Sequence, residues 1–394
     1  MIAGAAYHGE VRTRLLVIAL AFAALPGCRQ FFGIDPPQLR DGGGSNVDRD
    51  AAGDGPPADA QQCFGSGPFT VCLATLPIAP ATLPATLDTG TSVECANSQP
   101  PGWAPAQPAA CFVIGTDVTI GGSGTIAVTG SRPLVVIATG TLTIAGTLDA
   151  ATRNVTNPKT GPASAAGPCN PFTQVPGGNV PGAAGGGAGG SFVDEGGHGG
   201  SSGANAGGAP GVALAAPTTL RGGCAGQPGS KPTFNDTVDP GPGGGAVYLV
   251  AGTAIAFEPT RLIDVSGAAG VTGGVGTGGS GGGSGGMLVL YAPVIGATGG
   301  ALMANGGGGT SAGDSADPGM SGHDPSESAP TTPALGALYL VDGGNGAAAT
   351  TAATSGTASP GVSGGGGGGG IGYIRANVAV PGLTSSPPIS VVTP

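Results

Sequence analysis

Charge is scarce in this chain. Only 9% of its 394 residues are Asp, Glu, Lys or Arg, aromatic residues make up 4%, Trp occurs once and His three times. The 12 Lys and Arg are scattered singly, with no basic cluster and no interleaved aromatics, so phosphates would go unneutralised and bases unstacked. Nucleic acid is therefore not an expected partner. Leu, Ile, Val and Phe make up roughly a fifth of the chain, at the lower edge of what a packed core needs. Beyond the N-terminal segment, Gly breaks every apolar run before ten residues, which excludes an ordinary helical or α/β enzyme. What is abundant is Gly, 84 residues, with 37 Pro. Such a share normally signals low complexity, yet so few charges also remove the self-repulsion that keeps disordered chains open. An extended, glycine-laced β architecture remains.

The N-terminus carries the apolar run LLVIALAFAAL, from Leu15, preceded by Arg12 and Arg14 and followed by Leu25-Pro26-Gly27-Cys28. The run is shorter than the ~20 residues needed to span a bilayer. It resembles a bacterial lipoprotein leader, residues 1–27. That resemblance implies that Cys28 becomes the N-terminus and is acylated, by diacylglycerol and a palmitate-type chain, to hold the protein on a membrane. By analogy with enteric lipoproteins, Arg29 in place of Asp implies the outer membrane or cell surface. Glu10 and the lack of Lys or Arg in residues 1–10 make an odd preface, which suggests a start at Val11. Residues 28–62 follow as an acidic tether dominated by Gly, Pro and Asp. The net charge of −10 becomes −11 once Glu10, Arg12 and Arg14 leave with the leader.

Six cysteines remain in the mature chain: Cys63, Cys72, Cys95, Cys111, Cys169 and Cys224. An even set in an exported chain reads as disulfides, and six allow 15 connectivities. Joining sequence neighbours suggests Cys63 with Cys72, Cys95 with Cys111, and Cys169 with Cys224. No close C-x2-C pair points to zinc.

Residues 63–111 read as a Cys-rich capping segment containing Trp103, and residues 112–151 as short β-branched strands about every eight residues. Over residues 152–394 a looser unit recurs, Gly followed by a strand: GGGAVYLVAG from Gly243, GGMLVLYAP from Gly285, LGALYLVDG from Leu335 and GGIGYIRANV from Gly369. Loops of drifting length separate the units, as in stacked repeats. The expected fold is all-β: a β-helix-like solenoid of short strands with long Gly-rich loops and a disulfide-stapled N-terminal cap. Runs such as Gly177 to Gly211 and Gly267 to Gly286 have two readings, flexible loops or laterally hydrogen-bonded extended glycine helices.

The segments CFGSGPFTVCLATLP, LDTGTSVECA, VTGSRPLVVIATGTLTIAGTLDA and the Gly-rich units behind a lipoprotein leader resemble a group of uncharacterised myxobacterial-type glycine-rich exported lipoproteins. The group implies export and an anchor, and no activity.

Catalytic chemistry has little to work with. His198 and His323 lie in Gly- or Ser-rich loops, not on the packed turn that a triad needs. Asp194, Glu195 and His198, or Asp314, Asp317, Asp324 and Glu327, carry metal-ligand atoms, but acidic loops without metal are the commoner case, and neither a metal nor a cofactor is expected. Glycine-rich phosphate loops would need a strand-to-helix context that is missing. A polysaccharide lyase or glycosidase on a β-helix scaffold is the enzymatic alternative. Its basic groups would come from Arg132, Arg153, Arg221, Arg261, Arg375, Lys159 and Lys231, which form no tight constellation in sequence. The expectation is thus a cell-surface lipoprotein with a structural or adhesive role and no catalysis. Its partners would be the membrane, through the lipid anchor, and extracellular polysaccharide or other surface proteins.

Overall fold

The computed structural model describes residues 61–95, 99–122, 124–155, 157–164, 169, 184–230, 238–272 and 274–393. The leader, Cys28, the tether up to residue 60, residues 177–183 and Lys231 lie outside the described residues.

A hairpin of β1 (Gln62–Phe64) and β2 (Val71–Leu73) precedes three parallel sheets. The first sheet pairs β4 (Thr86–Asp88), β7 (Thr125–Thr129), β10 (Thr147–Asp149), β13 (Leu262–Asp264), β16 (Ala301–Met303) and β18 (Thr384–Ser386) in that order. The second pairs β5 (Cys111–Gly115), β8 (Leu134–Ala138), β11 (Ala246–Ala251), β14 (Met287–Tyr291), β17 (Tyr373–Ala376) and β19 (Ser390–Val391). The third pairs β3 (Ala81–Thr82), β6 (Val118–Ile120), β9 (Thr141–Ile144), β12 (Ala254–Phe257) and β15 (Val294–Ala297). The chain visits the sheets in rotation, so residues of like size stack on one another. Ile126, Leu148, Ile263 and Leu302 form one ladder, and Val118, Leu142, Ile255 and Ile295 another. These ladders line a single narrow core, in which each fully buried Leu, Ile or Val contributes ~1.5–3 kcal/mol. Alternation explains the third sheet, where Thr141 and Thr143 face out while Leu142 and Ile144 face in. The second sheet is apolar on both faces because both are covered, which is why LVVIA and AVYLVA show no alternation.

Its outer cover is the hairpin. Phe64, Phe69, Val71, Leu73 and Trp103 pack on Phe112, Val135, Ile137 and Tyr248. Trp103 meets the Phe112 ring edge-on with centroids 5.4 Å apart, and the Tyr248 hydroxyl donates to the Phe69 carbonyl at 2.9 Å. Disulfides join Cys63 to Cys72 across the hairpin, Cys95 to Cys111, and Cys169 to Cys224. The second closes a loop of 16 residues, worth ~3 kcal/mol by loop-closure entropy.

Between the first and second sheets the chain leaves on three excursions, after β10, after β13 and after β16. They form a second body without strands. Each of the seven glycines 364–370 donates its N–H to a neighbouring segment and accepts one at its carbonyl. Gly364, Gly367 and Gly370 donate to Ala184, Gly187 and Gly190; Gly365 and Gly368 donate to Thr357 and Thr354; Gly366 and Gly369 donate to Thr310 and Gly307. In return Gly279, Gly282 and Gly285 donate to 364, 367 and 370, Gly200 and Gly197 to 365 and 368, and Gly344 and Ala347 to 366 and 369. One segment thus has six hydrogen-bonded neighbours, each met at every third residue. That is the periodicity of an extended three-residue-per-turn helix, which has no internal hydrogen bonds and must find its partners laterally.

This overturns the expected all-β, β-helix-like solenoid with long Gly-rich loops and an N-terminal cap. The chain forms three separate open parallel sheets, none of them closed, and much of the expected loop is a packed glycine body. The hairpin meant as an end cap lies along the outer face of the second sheet, while β3 and β4 are ordinary sheet members. The expected strand LGALYLV at Leu335 is no strand either: it runs within the glycine body, with Leu338 and Leu340 exposed.

Candidate functional site

Among the described residues, five charged side chains gather at the corner where the excursions leave the first sheet: Asp149, Arg153, Lys159, Asp264 and Glu327. Parallel register places Asp149 of β10 directly beside Asp264 of β13, about 4.8 Å apart along the ladder, where like charges repel. Arg153 bridges them, with Nη1 2.7 Å from Asp149 Oδ2 and Nη2 2.8 Å from Asp264 Oδ2. The same Nη2 lies 2.6 Å from Glu327 Oε1. Lys159 Nζ sits 2.9 Å from Asp149 Oδ1, returned to the corner by paired backbone hydrogen bonds between Arg153 and Lys159. Asp324 completes the corner by accepting the N–H groups of Val155 at 2.9 Å and Ala269 at 2.8 Å. All three excursions meet here: the first supplies Arg153 and Lys159, the second Ala269, the third Asp324 and Glu327.

Asp264 is fully buried. Burial raises its pKa, the Arg153 charge and the Ser266 hydrogen bonds offset only part of this, and the carboxyl is left pushed up to about 6. For Arg153, burial acts downward, but Asp264 and Asp149 outweigh it and hold the guanidinium above its ordinary value. Lys159 is held below the ordinary Lys value because burial outweighs the attraction of Asp149.

The sign of the Asp264 shift sets a pH dependence. A folded value above the unfolded one means that ionised Asp264 opposes folding, and the stability withheld at neutral pH returns as pH falls through about 6 towards 3.8. Two units at 1.36 kcal/mol each give ~2–3 kcal/mol. Urea denaturation of wild type against Asp264→Asn between pH 7.5 and 4.5 reads this contribution as the difference in slope. Parallel slopes for the two proteins would refute it.

The residues nominated from sequence fare differently. His198 and His323 are exposed, and their carbonyls accept N–H groups from Gly356 and Gly308 within the glycine body. Asp194 and Glu195 are exposed. The set of Asp314, Asp317, Asp324 and Glu327 divides: the Asp314 carboxylate accepts the N–H groups of Ala316 and Asp317 in its own turn, while Asp324 and Glu327 sit at the sheet corner. Among the described residues, the acids close enough to share a cation are Asp149, Asp264 and Glu327, and Arg153 already lies among them. The expectation that no basic group enters a tight constellation is corrected for Arg153 and Lys159. Arg132 instead binds the carbonyls of Thr89, Gly90 and Cys95, Arg221 and Arg375 lie over Phe192 and Phe69, and Arg261 pairs with Glu258. A cleft of about 600 Å³ is lined by Asp88, Ser131, Thr160 and Ser164 among others, and none of the side chains of the charged corner lines it.

Asp149 and Asp264 were missed by sequence reasoning, although a signal exists. Both follow an apolar residue at a strand end, in TLDAAT and LIDVSG, and stacking such strands superimposes the acids. Comparison with known proteins finds no family model, no curated protein and no solved structure that matches this chain.

Proposed function

We propose that this chain is an exported, lipid-anchored cell-surface protein with a structural or adhesive role and no catalytic activity. The observation that carries the reading is the glycine body, whose interior consists of backbone hydrogen-bonded to backbone on six sides. Such a lattice offers rigidity and reach and keeps side chains for its surface. The charged corner fits the same reading, since its buried carboxylates are committed to Arg153 and Lys159 where the excursions are tied together. Cys28 supplies the anchor and residues 28–62 the spacer.

Protease treatment of intact cells tests the location. The body should be clipped on wild-type cells and shed into the medium by cells carrying Cys28→Ser, and a deletion strain should lose attachment. Protection until the outer membrane is broken, or normal attachment after deletion, would overturn the reading.

One observation favours the enzymatic alternative, a polysaccharide lyase or glycosidase. Raised carboxyl pKa values cluster at active sites, and Asp264 sits beside Arg153, Lys159 and the half-exposed Glu327. That reading requires product release from a polysaccharide and its loss in Glu327→Gln.

A further inference from the structure

The turns at the far end of the glycine body, remote from the sheet corner, come together through named contacts. Val275 bridges Pro318, Gly313 N–H donates to the Thr277 carbonyl, Ala312 N–H donates to the Val341 carbonyl, and the Ser363 hydroxyl donates to the Gly276 carbonyl. Residues 274–277, 313–319 and 338–342 therefore form one tip, joined through Ser363 to the glycine run 364–370.

Large apolar side chains meet water at this tip, as single ones do elsewhere, at Ile78, Val93 and Val212 among others. Leu338 is 72% exposed, Leu340 60% and Met320 52%, with Tyr339 and Val275 also exposed. Single exposed apolar residues are ordinary, but here five of them lie on turns that touch one another, and clustered exposed apolar groups mark interaction surfaces. Tyr339 is held in place: its hydroxyl donates to Asp317 Oδ2 at 3.4 Å and its N–H to Asp342 Oδ1 at 3.1 Å. The charge around it has one sign. No Lys or Arg occurs between residues 262 and 374, while Asp314, Asp317 and Asp342 all stand at the tip. The backbone N–H groups of Ala316 and Asp317 hold the Asp314 carboxyl below its usual range, so it stays ionised.

We infer that the tip is the adhesive contact surface and that its partner is a protein surface presenting apolar residues bordered by Lys or Arg. The inference rests on the adhesive reading above and deepens it. Complementarity of charge sets the partner's sign, and an oriented Tyr between Leu side chains supplies the buried centre that carries binding energy in such contacts. The lattice beneath keeps these turns in place before the partner arrives, which lowers the ordering cost of binding.

The test uses the mature full-length chain carrying Cys28→Ser and beads bearing an alternating Leu-Lys peptide or an alternating Leu-Glu peptide of equal length. Retention on Leu-Lys beads is expected to exceed that on Leu-Glu beads at least tenfold. Because the whole chain is acidic, the decisive variant is Leu338→Ser/Leu340→Ser, which keeps every charge and should lose at least tenfold in retention with an unchanged melting temperature. Asp317→Asn should weaken binding less and reduce its salt dependence. Unchanged retention of the double variant overturns the inference. So does calcium-dependent retention, which would make the acids a cation site, or self-association abolished by the Leu changes, which would make the partner a second copy. In cells the two readings separate: a deletion strain that attaches normally defeats adhesion itself, whereas lost attachment on deletion but normal attachment in the double variant defeats only the tip.

Discussion

Alanine at Gly367 is expected to destabilise the fold by about 4 kcal/mol or more, whereas alanine at Gly296 is expected to be neutral or slightly stabilising. The two positions differ in what a methyl group would meet. At Gly367 the added Cβ would land on the carbonyl oxygen of Gly197, a backbone atom that cannot rotate aside. Gly367 also donates to Gly187 and accepts from Gly282, so displacing it strains neighbours on three sides. Overpacking a rigid interior costs ~1–3 kcal/mol, and each buried backbone group left without its partner adds ~1–3 kcal/mol. Gly296 lies exposed in β15 with open space where its Cβ would sit. There alanine narrows only the unfolded ensemble, a gain of ~0.4–1 kcal/mol. Urea denaturation of both variants is the measurement. A Gly367→Ala protein within ~0.5 kcal/mol of wild type would mean that the segments are not packed as the hydrogen bonds indicate.

Replacing Arg153 by Met is expected to cost ~3–5 kcal/mol, the scale for breaking a buried ion pair from one side. The loss comes less from the missing attraction than from what stays behind, two stacked carboxylates with Lys159 reaching only one of them. Removing the stranded charges as well should therefore recover most of the stability, and the triple variant Arg153→Met/Asp149→Asn/Asp264→Asn is the check. If the triple variant is as unstable as the single one, packing of the Arg153 side chain, not charge, is what the corner needs. Because Arg153 also holds Glu327, the third excursion should exchange its amide protons faster in the single variant, around residues 322–330 first.

These two results also mark what the amino-acid order reveals. Strands such as LVVIA and TLTI are legible because β-branched side chains and bounding glycines act locally, and the register follows once like-sized residues stack. The glycine segments are not legible in the same way. A run such as 364–370 has no side-chain pattern to read, and whether it is loose or packed depends on segments as far as 180 residues away, as with Gly364 and its acceptor Ala184. LGALYLV looks like AVYLVA, yet it is not in a sheet, because the second sheet passes from β14 directly to β17 and leaves it no place. In the charged corner, strand stacking brings 149 beside 264 and the excursions bring 153 and 327 to them, so its parts are visible in sequence and their meeting is not.

The six-neighbour lattice also imposes a counting rule on the gene. The run 364–370 presents its N–H groups to three different neighbours in turn, so inserting one or two residues in it rotates everything beyond the insertion by a third or two-thirds of a turn and redirects every later donor to the wrong partner. Inserting three restores the phase and lengthens the segment by one repeat, about 9 Å. Length in this body therefore comes in whole triplets of residues, and the tip can be carried outwards in steps while the side chains displayed on it continue to face the same way.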